Sequence, residues 1–226
     1  LLREPPRGNL DAHAKTDAAS WTKMWAILLR RPSFFFNVVG QTILTFSLGG
    51  LGAWMPTYFV RERGLGVAAA GTIFGGLLLG AGFLGTILGG QASDRLSRRF
   101  PGAHFALSGW ALIVSAPFTI VAILSPRPTL FWPAMFVTLL LAFLNTGPLN
   151  AALVNVLPPE LRSRGVGMHT ITIHLLGDAL SPFLIGLVSD RIGLRMPVLI
   201  TGLLLTLSGL VLLTGRRWLV QDMAAR

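Results

Sequence analysis

Residues 64–99 read GLGVAAAGTIFGGLLLGAGFLGTILGGQASDRLSRR. From Gly64 to Ser93 there is no Asp, Glu, Lys or Arg, and then Asp94, Arg95, Arg98 and Arg99 follow almost at once. An α-helix rises about 1.5 Å per residue, so a charge-free run of this length crosses the about 30 Å hydrocarbon core of a bilayer with residues to spare. Uncharged runs recur outward from it, at 34–60, 100–126, 128–159 and 196–215. A membrane strand needs only about 10 residues of alternating polarity, whereas these runs are long and apolar on every side, so each reads as a helix.

The expected fold is an all-α membrane protein of six transmembrane helices, at about 35–60, 67–90, 103–125, 129–157, 165–189 and 196–216. Residues 1–33 read as a linker with a short amphipathic helix, 34–216 as the bundle, and 217–226 as a tail. Composition agrees: of 226 residues 52% are apolar and only 12% charged, against about 25% charged in soluble domains. Mean hydropathy is +0.65. The net charge of +10 would raise nucleic-acid binding in a soluble chain, but here the cations punctuate apolar spans instead of clustering on a folded surface, so no nucleic-acid partner is expected.

With the amino terminus on one side, that side collects fourteen of the nineteen Lys and Arg residues. The positive-inside bias places both termini in the cytoplasm. Arg outnumbers Lys seventeen to two, which points to a bacterial inner membrane. Trp54, Tyr58 and Trp132 fall near the outer boundary and Trp218 near the inner one, while Trp110 lies deep in the third span. The chain opens Leu-Leu-Arg-Glu-Pro-Pro-Arg-Gly, with neither an initiator Met nor a signal-peptide pattern, and reads as a fragment. Ser20 is placed to cap a short helix carrying Trp21, Trp25 and Leu28 on one face.

The chain also repeats itself. Ala92-Ser93-Asp94-Arg95-Leu96 closes the second span, and Val188-Ser189-Asp190-Arg191-Ile192 closes the fifth, 96 residues later. Three helices separate the copies, so the two Ser-Asp-Arg corners lie on opposite membrane faces. That is the pattern of two three-helix units in inverted topology, spans 1–3 and 4–6. Asp94, Arg95, Arg98, Arg99, Asp190 and Arg191 are read as a conformational latch, the carboxylates accepting from helix starts and the guanidiniums reaching carboxylates or lipid phosphates.

One acid stands inside a span. Asp178 lies near the middle of the fifth, where a charge costs about 2.5–3.5 kcal/mol on insertion scales, and it is expected to face the bundle interior. His174, Ser181 and Thr170 share its helical face. A carboxylate beside an imidazole can exchange a proton and hold a polar headgroup. Asn145 and Asn150, flanking a kinking Pro148 in the fourth span, and Gln41 with Thr45 in the first are read as cavity-lining candidates. His169, about 140° around the helix from His174, is read as interfacial and structural. The glycines of the second span, Gly71 to Gly90, read as a close-packing surface.

No catalytic residue, metal or cofactor is assigned. Zero cysteines exclude disulfides and thiol chemistry, and no zinc H-E-x-x-H is present. A hydrolase built from Ser181, His174 and Asp178 fails because the three side chains project in parallel from one face.

The stretch from Gly90 to Arg99 resembles the G-x-L-A-D-R-x-G-R-R loop signature of the major facilitator superfamily, departing from it at Ala92, Ser93 and Ser97. Leu161-Arg-Ser-Arg-Gly through His174-Leu-Leu-Gly-Asp-Ala-Leu-Ser-Pro to Gly186-Leu-Val-Ser-Asp-Arg is similar to the eleventh-helix region of Spinster-type transporters. Glu4-Pro-Pro-Arg-Gly and Gly50-Leu-Gly-Ala-Trp-Met-Pro carry the same resemblance. It implies the carboxy-terminal half of a twelve-helix secondary transporter that works by alternating access. The implied partners are a missing amino-terminal half, membrane lipid, a small amphiphilic substrate such as a lysophospholipid or sphingoid lipid, and a proton. A drug, organic-anion or sugar transporter of another subfamily, and a stand-alone six-helix channel or lipid-binding scaffold, are the alternatives.

Overall fold

The computed structural model describes residues 30–224 together with 25, 26 and 28. Six helical segments are long and apolar enough to cross a membrane. The first three are single helices: α1 (Pro32–Arg63), α2 (Val67–Ser97) and α3 (Ala103–Leu124). The fourth crossing is interrupted, as α4 (Pro128–Phe143) and α5 (Thr146–Val156). A single 3-10 turn, Pro159–Leu161, leads into the fifth, which is α6 (Arg162–Ile173), a π-helical turn (His174–Asp178) and α7 (Ser181–Ile192). The sixth is α8 (Arg195–Ala224). No strand occurs among the described residues.

Several helices outrun the charge-free stretches, because charged residues outside the hydrocarbon can stay helical. Arg61 and Arg63 occupy the last turn of α1 and Arg95 that of α2, where cations complement the helix dipole. The sixth helix continues through residues 217–224. At the end of α1, Gly64 turns left-handed at φ 69°, which lets the Leu65 N–H reach back to Phe59 O at 3.1 Å.

Helix neighbours obey the inverted repeat. The first crossing packs along α8 and the fifth crossing; its counterpart, the fourth, packs along α3 and α2. Exchanging the first three spans for the last three maps these pairings onto one another, and leaves the α3–α8 contact on the axis. There the two backbones touch: a Cβ on Gly109 would lie 2.8 Å from Gly209 O, and one on Gly209 2.6 Å from Gly109 O. Two buried clusters fill the bundle, one around Leu28, Phe34, Phe105 and Leu219 and one around Tyr58, Phe59, Phe131 and Leu194.

Polar contacts pin each end. Arg63 donates to Ser125 O at 2.7 Å and Ile123 O at 3.1 Å, while Arg195 takes Leu124 O at 3.0 Å. At the other end the Asp222 carboxylate accepts the Ser33 N–H at 3.0 Å and the Ser33 hydroxyl, and Phe36 stacks on Trp218 at 4.8 Å. The chain before α1 joins this end: Leu28 is fully buried, and Trp25 meets the edge of Phe34. Ser20 and Trp21 lie outside the described residues.

Burial is uneven across the crossings. The second and fifth are 17% and 22% buried, against 39% to 50% for the other four. These two counterpart crossings therefore present the open surface of the molecule, and the candidate site lies on one of them.

Candidate functional site

The fifth crossing breaks its hydrogen-bond ladder at its midpoint. The Ala179 N–H bonds to His174 O at 3.0 Å, five residues back, and Pro182 has no N–H to give Asp178 O. Side chains bond the carbonyls around the break. Ser181 Oγ donates to Asp178 O at 3.3 Å, Thr45 Oγ1 to Ile173 O at 2.8 Å, and Trp54 Nε1 to Pro182 O at 2.9 Å. Thr45 and Trp54 reach because α1 comes very close: a Cβ on Gly49 would sit 2.6 Å from Asp178 Cα, and one on Gly177 3.0 Å from Thr42 O. In an apolar medium an unpaired carbonyl costs several kcal/mol, so the Ser181 bond to the carbonyl that Pro182 leaves without a donor makes the broken helix tolerable.

The turn presents an imidazole in contact with a carboxylate. His174 Nδ1 lies 2.9 Å from Asp178 Oδ2 and 3.2 Å from Oδ1, with side-chain exposures of 57% and 39%. Among the described residues this is the one contact with ion-pair geometry. It borders an open hollow of about 640 Å³ lined by Gly49, Ile171, His174, Leu175, Asp178 and Ala179. An imidazole and a carboxylate set in an apolar wall at mid-depth can take a polar headgroup and an apolar tail together. Thr170, one turn before His174, is exposed on the same face.

The eight residues expected to bind or couple therefore separate. His174, Asp178 and Thr170 come together on the open face. Asp178 does not point into the six-helix core as the sequence reading expected: Gly49 draws its backbone against α1, and the carboxylate turns outward to His174. Ser181 is fully buried and donates to the carbonyl freed by Pro182, not to His174, while Thr45 ties α1 to the Ile173 carbonyl beside the break. Gln41, 8% exposed, donates to Asn37 Oδ1 at 2.6 Å, and Asn37 Nδ2 to Leu149 O at 3.1 Å, joining the first and fourth crossings inside the core. Asn37 is not among the sequence candidates, although its four-residue spacing from Gln41 is a readable signal.

The fourth crossing is interrupted at Leu144 and Asn145, before Pro148. Asn145 is fully buried and its amide donates to Leu141 O at 2.8 Å and Ala142 O at 3.1 Å, mending its own helix instead of lining the hollow. Asn150 is exposed farther along α5. The break is seated on α2, where a Cβ on Gly85 would lie 2.7 Å from Leu140 O and one on Gly89 2.7 Å from Leu144 C. Gly71, Gly75, Gly76 and Gly90 face open space, so only part of the glycine row packs.

The six latch candidates, Asp94, Arg95, Arg98, Arg99, Asp190 and Arg191, are all exposed, and among the described residues none forms an ion pair. The serines preceding both acids are buried, and Ser93 Oγ lies 2.6 Å from His104 Nδ1, tying α2 to α3. His169 is 1% exposed, edge-on to Phe34 in the core.

Comparison with known proteins places the chain. The model of the Major Facilitator Superfamily matches residues 1–177. Protein spinster homolog 1 of Xenopus laevis is 34% identical over 85% of this chain and 39% of its own length, and that of Homo sapiens 32% identical over 87% and 40%. The chain thus spans about two-fifths of the curated relatives it matches. A crystal structure of a bacterial homologue of the human lysosomal transporter Spinster, inward-facing and unoccupied, superposes with TM-score 0.81 at 22% identity, over 98% of this chain and 55% of that one.

Proposed function

The chain belongs to the Major Facilitator Superfamily and is a multi-pass membrane protein, and from that premise we propose that it forms the carboxy-terminal half of a Spinster-like secondary transporter for an amphiphilic organic molecule. The observation that carries this reading is the His174–Asp178 pair, held at mid-membrane on an open apolar surface by a broken helix. Its imidazole and carboxylate exchange a proton, and binding of the substrate headgroup competes with their mutual contact, so loading of substrate and proton are linked. A lysophospholipid or sphingoid-type lipid suits the chemistry: its headgroup meets the pair while its chain lies on Ile171 and Leu175. The partner half covers the open surface of the second and fifth crossings, and both termini lie in the cytoplasm of a bacterial inner membrane.

The test is proton-gradient-driven movement of a labelled lysophospholipid in proteoliposomes holding the full-length protein. Asp178→Asn keeps the side chain's shape and removes its charge; gradient-driven transport is expected to fall at least about tenfold, consistent with loss of one charge-assisted interaction. Wild-type rates in that variant would move Asp178 into a purely structural role. No lysolipid movement by either protein would return the substrate to the wider range of drugs, organic anions and sugars.

A further inference from the structure

A second polar site lies far from the His174–Asp178 pair, where α8 leaves the apolar zone. Arg216 and Arg217 follow directly on the charge-free stretch 196–215, at headgroup depth for a helix of this length. They line an open hollow of about 700 Å³ along the surface of α8, together with Thr214 and Gln221. Neither guanidinium has a carboxylate partner among the described residues. Each lies instead on an aromatic face, Arg216 at 5.1 Å over Phe100 and Arg217 at 3.9 Å over Trp218.

Stacking of this kind orients a guanidinium without consuming its N–H donors, which remain in its plane and free. The supports are themselves fixed. Trp218 is stacked on Phe36. The left-handed Gly102 leaves room for the Arg216 stem, since a Cβ there would meet its Cγ at 3.0 Å. The one acid nearby on α8, Asp222, is committed to Ser33 on α1 and does not neutralise the pair. Two pre-oriented forks with unspent donors, beside a hollow at the membrane boundary, match a phosphodiester in charge and geometry.

We infer that Arg216 and Arg217 seat the phosphate of an anionic phospholipid of the surrounding bilayer. The lipid bridges the α2–α3 loop, through Arg216 on Phe100, to the α1–α8 contact, through Arg217 on Trp218. It is a structural ligand on a site separate from the transport surface.

The full-length protein, purified in detergent, is titrated with phosphatidylglycerol, phosphatidylcholine or inorganic phosphate, and bound lipid is counted by native mass spectrometry. The wild type is expected to retain phosphatidylglycerol selectively. Each arginine should account for about fivefold in affinity, so Arg216→Gln with Arg217→Gln lowers retention about 25-fold. The exposed pair Arg30→Gln with Arg164→Gln removes the same charge elsewhere on that end, away from the α2–α3 loop, and should change it less than about twofold. Equal loss in both double variants would reduce the effect to general charge and overturn the site. Equal retention of phosphatidylcholine would do the same, and displacement of phosphatidylglycerol by millimolar phosphate would make the occupant a free anion. Should the double variant unfold, Arg217→Gln alone, on an exposed side chain, carries the test with its fivefold loss.

Discussion

Arg63 shows how a charged side chain near a membrane end can be spent on backbone. Its guanidinium reaches Ser125 O at 2.7 Å, Ile123 O at 3.1 Å and the Tyr58 hydroxyl at 3.2 Å, and lies 4.3 Å over the Phe131 ring. The last carbonyls of α3 have no partners within their own helix, so this one side chain caps that end from a neighbouring helix. Tyr58 adds its own bond to Ile123 O at 2.9 Å. Arg63→Gln should therefore destabilise the protein by about 1.5–3 kcal/mol, the range for hydrogen bonds to a charged group, read as a fall in the detergent unfolding temperature. Arg61→Gln, two residues earlier and exposed, should leave that temperature unchanged. Equal effects of the two would mean that net charge at this end, not the cap, is what matters.

At the scale of elements, two broken crossings rest on glycines from neighbours. The fourth breaks against Gly85 and Gly89 of α2, and the fifth against Gly49 of α1. Adjacent glycines on α2 separate close packing from helix propensity. A side chain at Gly89 collides with the Leu144 backbone, whereas one at Gly90 meets nothing within 4 Å. Gly89→Ala should cost about 1–3 kcal/mol as overpacking, while Gly90→Ala should cost nothing, as measured by thermal unfolding of the two variants. The six crossings and their inverted pairing were legible in charge-free runs and in the repeated Ser-Asp-Arg corners, because a bilayer punishes buried charge over a fixed length. The interruption before Pro148 was legible for the same local reason. The division of the polar residues was not. Whether Thr45, Ser181 or Asn145 points at a substrate or mends a helix depends on which carbonyls lose their partners. The π-helical turn that decides this has no signature in residue spacing, and it is the approach of Gly49 that turns Asp178 outward.

At the scale of the molecule, the exchange symmetry makes a demand that single helices do not. If spans 1–3 and 4–6 are inverted copies, the corners at Asp94 and Asp190 stand on opposite membrane faces although their sequences match. The chain contains no cysteine, so a single introduced thiol reports one position in this half without background. Arg98 and Asp190 are both exposed, as are Glu62 and Arg164, which test the same alternation at other loops. With an impermeant maleimide on intact cells, Asp190→Cys and Glu62→Cys should label directly. Arg98→Cys and Arg164→Cys should label only after the membrane is opened, as the positive-inside bias expects of the basic loops. Labelling of Arg98→Cys and Asp190→Cys from the same side would remove the inverted repeat. Reversal of all four would keep the repeat and invert the orientation, since the two-fold pairing of helices holds whichever way the bundle is inserted, and only the uneven distribution of arginine selects between the two.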